Sequence, residues 1–253
     1  MGYGDTLMSI GEAKRLYRVN QNPVMIVGRD GRPIRSELFD GVPYLTTKPL
    51  RSPYQRLING PGARPYIAAK TETHWTWRPY KPEPATVILT AEEKAFAEPY
   101  RGMVLLEPTV KKIGHSNKDW GAIHWQQLDS MLRAKKIPAV QPYRQGDHRL
   151  LHSTHVLAST FRQAIAVLSV CRAAVLPEGG LMHAAAAVGV RSVICYGGFI
   201  SPDITGYKMH RNLFTGGKAC GMRVDCQHCR MAMADITSRL VFDTLMDLLR
   251  EYE

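Results

Sequence analysis

Leu176-Pro177-Glu178-Gly179-Gly180-Leu181-Met182-His183-Ala184-Ala185-Ala186-Ala187 is the stretch that decides the fold. The apolar run before it reads as a strand, the strand ends at an acidic residue, two glycines follow, and an alanine-rich helix begins. At such a turn the main chain can approach an anion closely and the first helical N–H groups point at it, so the segment reads as a diphosphate cradle. The same residues also fit a tight strand-to-helix turn whose glycines serve packing alone.

Outward from this turn, the runs Val24 to Val27, Val87 to Leu89, Met103 to Leu106, Ala173 to Leu176 and Ser192 to Tyr196 read as strands. They are mostly continuous rather than alternating, as parallel strands covered on both faces are. Phe161, Ile165, Leu168 and Cys171 recur at helical spacing, as do Leu240, Val241, Leu245, Leu248 and Leu249. Strand, helix, strand in that order predicts an α/β fold on a parallel sheet, with ligands at the carboxyl ends of its strands. Between Pro43 and Pro84 the chain is punctuated, as in Asn59-Gly60-Pro61-Gly62 and Pro79-Tyr80-Lys81-Pro82, which predicts loops and a linker. The expected division is residues 1–85 and residues 86–253, with no internal repeat.

The chain has 253 residues, 45% of them hydrophobic and 22% charged, which excludes a wholly disordered protein. No apolar run approaches the roughly 20 residues needed to cross a bilayer, and Met1 to Asp5 do not open a leader peptide, so a cytoplasmic location is expected. Thirty-three Lys and Arg against 22 Asp and Glu leave a formal charge of +11, pointing to a polyanionic partner or an anionic surface. Lys48, Arg51, Arg56, Arg64, Lys70, Arg78 and Lys81 crowd the punctuated segment, interleaved with Tyr44, Tyr54, Tyr66, Trp75, Trp77 and Tyr80. Cations for phosphates and rings for bases suit a nucleic acid strand; sugars also stack on such rings, and a solvated loop with its rings tucked onto the core fits too.

The cradle, continued through Ser192-Val193-Ile194-Cys195-Tyr196-Gly197-Gly198-Phe199-Ile200-Ser201-Pro202 and Thr205-Gly206-Tyr207, resembles the C-terminal signature of glycosyltransferase family 9, the heptosyltransferase-like enzymes. Asn117-Lys118-Asp119-Trp120 with His124 to Leu128 looks like that family's Lys-x-Trp-Pro segment and the helix after it. Gly2-Tyr3-Gly4-Asp5-Thr6-Leu7 looks like its N-terminal Gly-x-Gly-Asp turn, and Cys226-Gln227-His228-Cys229 through Val241 its Cys-rich loop and closing helix. The resemblance implies a GT-B-like fold, two Rossmann-like domains facing across a cleft, with the N-terminal one abbreviated here to about half the family length. It implies an inverting transfer from a nucleoside-diphosphate sugar that requires no metal cofactor. Asp5 would be the general base and Lys118 the cation that neutralises the leaving diphosphate. Glu178, Gly179, Gly180 and His183, with Lys118, would line the donor site.

Those residue types suit those roles. An attacking hydroxyl must lose its proton, which a carboxylate can take, and a departing diphosphate is stabilised by a lysine and a helix N-terminus. Alternatives stand beside each: Asp5 as a helix cap, Lys118 as a solvated lysine, His183 as a hydrogen-bonded core residue. The chain departs from the family at Glu178, where Asp is usual, and in having no strand ahead of the Gly2 turn. Cys220, Cys226, Cys229 and His228 could hold a structural zinc, since Cys-x2-Cys suits two tetrahedral ligands. A second such pair is absent and Ala232 stands where the family has a later Cys, so free thiols are the expectation.

The shortened acceptor side and the basic, aromatic segment together point to transfer onto nucleic acid, such as a hydroxymethylated base in phage DNA turned out of its stack. Arg51, Arg56, Arg64, Trp75 and Trp77 would contact that acceptor. The alternatives are heptosyltransferase-like transfer to lipopolysaccharide or another anionic glycan, and a non-catalytic nucleic-acid-binding protein on a degenerate transferase scaffold.

Overall fold

A computed structural model of the chain describes residues 2–59, 64–110 and 116–251; Met1 and Gly60-Pro61-Gly62, used above, lie outside them. Helix α1 (Tyr3–Asn20) comes first and stops where Gln21 turns left-handed (φ 59°) and caps the Tyr17 carbonyl. Strand β1 (Val24–Val27) is buried throughout and pairs in parallel with β2 (Gln55–Ile58). An antiparallel hairpin follows, β3 (Ile67–Lys70) with β4 (Trp75–Trp77). The N-terminal part thus holds one long helix, a two-stranded parallel sheet and an antiparallel hairpin.

Val87–Leu89, expected as a strand, forms none. The segment leads straight into helix α2 (Ala91–Ala97), whose Thr90 and Glu93 form a capping box, and the Ile88 carbonyl is taken by Arg162 instead of a neighbouring strand. Strand β5 (Val104–Leu106) then leads through a short turn, residues 116–118, to α3 (Ala122–Ala134). Strands β6 (Ala139–Tyr143) and β7 (Thr154–Leu157), helix α4 (Phe161–Val170), strand β8 (Ala173–Pro177) and helix α5 (Gly180–Val188) follow. The chain ends with β9 (Ser192–Cys195), a turn of helix α6 (Pro202–Thr205), β10 (Arg211–Leu213), α7 (Gln227–Asp235) and α8 (Ser238–Arg250).

Six strands make one parallel sheet in the order β10-β9-β8-β5-β6-β7. The chain enters at the centre with β5, runs outward to β7, returns to the other side of β5 with β8, and runs outward again. This is the Rossmann order, and the strand order reverses between β5 and β8, where such sheets bind ligands. Helices α3 and α8 pack together on one face, and α4 and α5 on the other, with α2 against α4 and α1 against α5. Alternate strand residues divide accordingly. Val104, Leu106, Val175 and Val193 join Trp125, Leu128 and Leu245, whereas Leu105, Ala174, Leu176 and Ile194 join Leu7, Ile165 and Met182. Both faces are covered, so these strands read as unbroken apolar runs.

Arg162, buried on α4, ties the N-terminal part to this sheet. Its guanidinium makes a forked pair with Glu93 at 2.6 and 2.7 Å and donates to the carbonyls of Glu37 at 2.9 Å and Ile88 at 2.6 Å. Among the described residues no helix is long and apolar enough to cross a membrane.

Candidate active site

The first turns of α1 and α5 face each other, because glycines let their backbones approach. A Cβ on Gly4 would lie 3.0 Å from the His183 ring and 3.7 Å from the Cα of Gly180. A Cβ on Gly180 would meet the Phe161 ring at 3.1 Å, where Phe161 is stacked on Tyr3 at 4.1 Å between centroids. Close packing therefore requires Gly180, which both the packing and the cradle readings of the turn allow. The same closeness brings the N-terminal Gly-x-Gly-Asp turn onto the Glu178-Gly179-Gly180 turn, which follows β8 at the switch point. Two helix N-termini converge there, the arrangement that favours an anion.

Asp5 does not cap α1. The cap position is Gly2, which makes no side-chain cap, and Asp5 lies in the first turn with its carboxylate 10% exposed. That carboxylate accepts the Tyr66 hydroxyl at 2.7 Å and pairs with the Arg64 guanidinium at 2.6 Å. Burial pushes its pKa above the ordinary carboxylate value; Arg64, the Tyr66 hydrogen bond and Lys118 oppose the rise, and Glu178 adds to it. Tyr66, buried beside that negative charge, is held well above the usual phenol range.

Lys118 is no freely solvated lysine. It ends the turn after β5 and forms an ion pair with Glu178, their side chains 24% and 6% exposed, while its ammonium lies 4.8 Å from the Phe199 ring centroid. His183 is buried, with Nδ1 2.9 Å from the Tyr207 hydroxyl. Burial lowers its pKa to about 4, so it is neutral at pH 7; its burial and its Tyr207 partner fit the core reading, while its ring lies against the Gly4 turn.

Phe199 joins the two halves of the site. Trp77 meets it edge-on at 5.3 Å and Trp75 is tilted against it at 6.2 Å, while Arg64, Lys70 and Arg223 place their cations 5.0–5.4 Å from the Trp75 ring. Arg64, Trp75 and Trp77, expected as acceptor contacts, thus belong to one cluster with Asp5 and Lys118. Arg51 and Arg56 do not: Arg51 sits in an exposed loop, and Arg56 points to solvent from β2 over the Tyr54 ring. The basic, aromatic segment is therefore not one open surface; its tryptophans are half-buried walls.

Two members of this cluster were not singled out from the sequence, nor was a buried carboxyl at the neighbouring strand end. Tyr66 was noted only as one aromatic among several, and Phe199 only within a motif. Glu107 follows β5 directly, as Glu178 follows β8, and burial raises its pKa to about 8. A carboxylate at the end of the central strand was the signal available for it. A cavity of about 200 Å³ opens beside Asp5, lined by Ser9, Glu12, Leu57, Asn59, Arg64 and Tyr66 among others. A wider depression of about 670 Å³ between α3 and α8 holds none of the expected site residues.

Three of the five cysteines gather with a histidine. Ligand atoms of Cys220, Cys226, His228 and Cys229 all lie within 4.8 Å of one another, with Cys220 Sγ 3.2 Å from Cys229 Sγ and 3.9 Å from Cys226 Sγ. Tetrahedral coordination at the usual metal–sulfur distance puts sulfurs about 3.7 Å apart, so three thiolates and one imidazole fit a thiophilic ion.

A Rossmann-ordered sheet with a glycine turn, a lysine and carboxylates at its switch point defines an α/β architecture of the Rossmann-like class. The profile of glycosyltransferase family 9 (heptosyltransferase) matches residues 79–232, and the chain belongs to that family, with its GT-B-like fold. The fold is similar to that of Escherichia coli ADP-heptose lipopolysaccharide heptosyltransferase II, at 24% identity and TM-score 0.52 over 66% of this chain and 54% of that one. It is also similar to the iron-containing dodecameric glycosyltransferase TibC of enterotoxigenic E. coli, at 14% identity and TM-score 0.67 over 100% of this chain and 75% of that one. A family 9 glycosyltransferase of Veillonella parvula aligns at 13% identity and TM-score 0.51 over 66% and 54% of the two chains. The chain thus covers about half the length of heptosyltransferase II. No curated protein matches it.

Proposed function

We propose that the chain transfers a sugar from a nucleoside-diphosphate donor to an acceptor hydroxyl, with inversion, and that the acceptor is an anionic glycan of the kind heptosyltransferases use. The observation that carries this reading is the meeting of Asp5 with Lys118 and Glu178 across two facing helix N-termini. The acceptor hydroxyl enters from the cavity beside Asp5, whose carboxylate takes its proton as oxygen attacks the anomeric carbon. The bond from that carbon to the diphosphate breaks on the opposite side. The leaving charge is met by the Lys118 ammonium, shared with Glu178, and by the first N–H groups of α5.

Arg64, which lines the cavity, is the cation for the anionic group of the acceptor, and Trp75, over whose ring it lies, and Trp77 stand next to it. Family membership favours a glycan over DNA, because the cations and rings that favoured nucleic acid are divided between the site wall and unrelated surface. The cysteine cluster holds a structural zinc or iron ion that stands outside the transfer step; its donor set and the iron of TibC support that reading, which replaces free thiols. Incubation with candidate nucleotide sugars and with either a phosphorylated lipopolysaccharide core or hydroxymethylated DNA, followed by mass spectrometry, tests the proposal. A sugar-sized mass increase on the glycan supports it; an increase on DNA alone, or on neither, overturns it.

A further inference from the structure

Residues 220–224 run as a strap between the cysteines and three other parts of the site. Along the strap, Cys220 N–H donates to the Gly198 carbonyl at 2.9 Å and Gly221 N–H to the Phe199 carbonyl at 3.0 Å. On its other side Trp75 N–H donates to the Gly221 carbonyl at 2.9 Å, Arg223 N–H to the Thr73 carbonyl at 2.8 Å, and His74 Nε2 to the Cys220 carbonyl at 2.7 Å. Gly221 is left-handed (φ 68°), and a Cβ there would collide with the Trp75 carbonyl. The third connection is Asn117, next to Lys118. Its side chain is fully buried and gives both amide hydrogens to the strap, to the Met222 carbonyl at 2.7 Å and the Val224 carbonyl at 2.8 Å. Cys220 anchors one end of the strap, and Cys226 and Cys229 follow the other.

We propose that Asn117 is a positioning residue for Lys118: it fastens the lysine's turn to a strap whose geometry is set by metal at Cys220, Cys226, His228 and Cys229. Metal content then controls the leaving-group cation from outside the reaction. The inference rests on the metal site and on the role of Lys118 given above. A free strap end would let the carbonyls at 222 and 224 drift, and the two amide hydrogen bonds carry that drift to the lysine's own turn, which also packs against α7. Burial leaves Asn117 no water with which to replace them. The metal itself touches no substrate.

The test uses the full chain loaded with Zn²⁺ or Fe²⁺, the same chain stripped by a chelator, and the Asn117→Ala, Lys118→Ala and double variants. Metal stoichiometry is measured for each, with donor affinity by calorimetry, kcat, and the rate at which Lys118 is acylated by an amine-directed reagent, read by peptide mass spectrometry. Asn117→Ala should keep its metal and bind donor within about threefold of wild type, while kcat falls about tenfold or more; in the Lys118→Ala background the same change should cost less than about twofold, because the two residues act as one unit. Lys118 acylation should quicken severalfold on stripping the wild type, and be equally quick in metal-loaded Asn117→Ala. Additive losses in the double variant, or Lys118 reactivity that ignores both metal and Asn117, overturn the inference. Should Asn117→Ala not fold, Asn117→Asp, of the same shape but without donors, takes its place. A wild type that transfers no sugar would refute the proposed function, and the acylation rates would still decide whether the strap holds the lysine.

Discussion

Replacing Arg64 with Gln should move the acidic limb of the pH–rate profile upward. Asp5 acts as a base only when ionised, so activity is lost as pH falls through its pKa. Burial already holds that pKa above the ordinary value of about 4, and the Arg64 guanidinium at 2.6 Å is the largest influence pulling it back. Two unit charges about 4 Å apart at an effective dielectric of about 20 attract by about 4 kcal/mol, equivalent to about three pKa units. Solvent reaches Arg64, and Lys118 remains nearby, so about one to two units is the expected net effect, within the range seen for carboxylates beside arginine. The assay is kcat/KM from pH 4.5 to 9 at saturating acceptor, for wild type, Arg64→Gln and Tyr66→Phe. The Tyr66 variant should shift the limb the same way by less, since it removes one hydrogen bond and no charge. A limb that stays in place, or moves to lower pH, in Arg64→Gln would refute Asp5 as the titrating base.

The remaining predictions concern the scaffold and the join between its parts. Arg162→Ala leaves Glu93 without its partner and frees two carbonyls, so unfolding free energy in urea should drop by about 3–5 kcal/mol; a loss below about 1 kcal/mol would mean the clamp is ornamental. Glu107 has a folded pKa of about 8, above its unfolded value, so ionisation at neutral pH opposes folding. Glu107→Gln should therefore be more stable than wild type at pH 8, by about 2 kcal/mol after discounting its partial exposure, and the gain should vanish by about pH 4. Equal stability of the two proteins at both pH values would contradict this. Gly4→Leu drives a side chain into the His183 ring and wedges α1 from α5; transfer should fall at least about a hundredfold while the chain stays folded by circular dichroism, and unchanged transfer would separate catalysis from that contact.

The parts of the fold that could be read in the sequence were those whose burial is decided by the sheet. Strands β1, β5, β8 and β9 are covered on both faces and announce themselves as apolar runs. Strand β6 hid behind Pro142, which argues against a central strand. The structure resolves this: β6 pairs with β5 only at Ala139 and Val140, and Pro142 lies beyond that pairing, opposite Val156 of β7. Strand β7 is an edge with two exposed positions, too polar to stand out. Val87–Leu89 failed in the opposite sense, having the composition of a strand and no partner for one. Asp5, Lys118, Glu178 and His183 could be singled out because motif spacing carries them, and the structure brings them close enough to influence one another electrostatically. Tyr66 and Phe199 could not be singled out, because each reaches the cluster through contacts made across more than 60 residues of chain. Charge density chose Arg51 and Arg56 along with Arg64, and only tertiary packing separates the one that reaches Asp5 from the two that do not.

The central claim is that Asp5 and the Glu178 turn form one transfer site with separate duties. Calorimetric titration of wild type and Asp5→Asn with nucleotide sugars, alongside turnover of the same samples, tests it most directly. The account predicts donor affinity within about threefold and turnover lower by at least about a hundredfold in Asp5→Asn, the cost of losing a general base. Turnover that survives the substitution, or donor affinity lost along with it, would contradict the account.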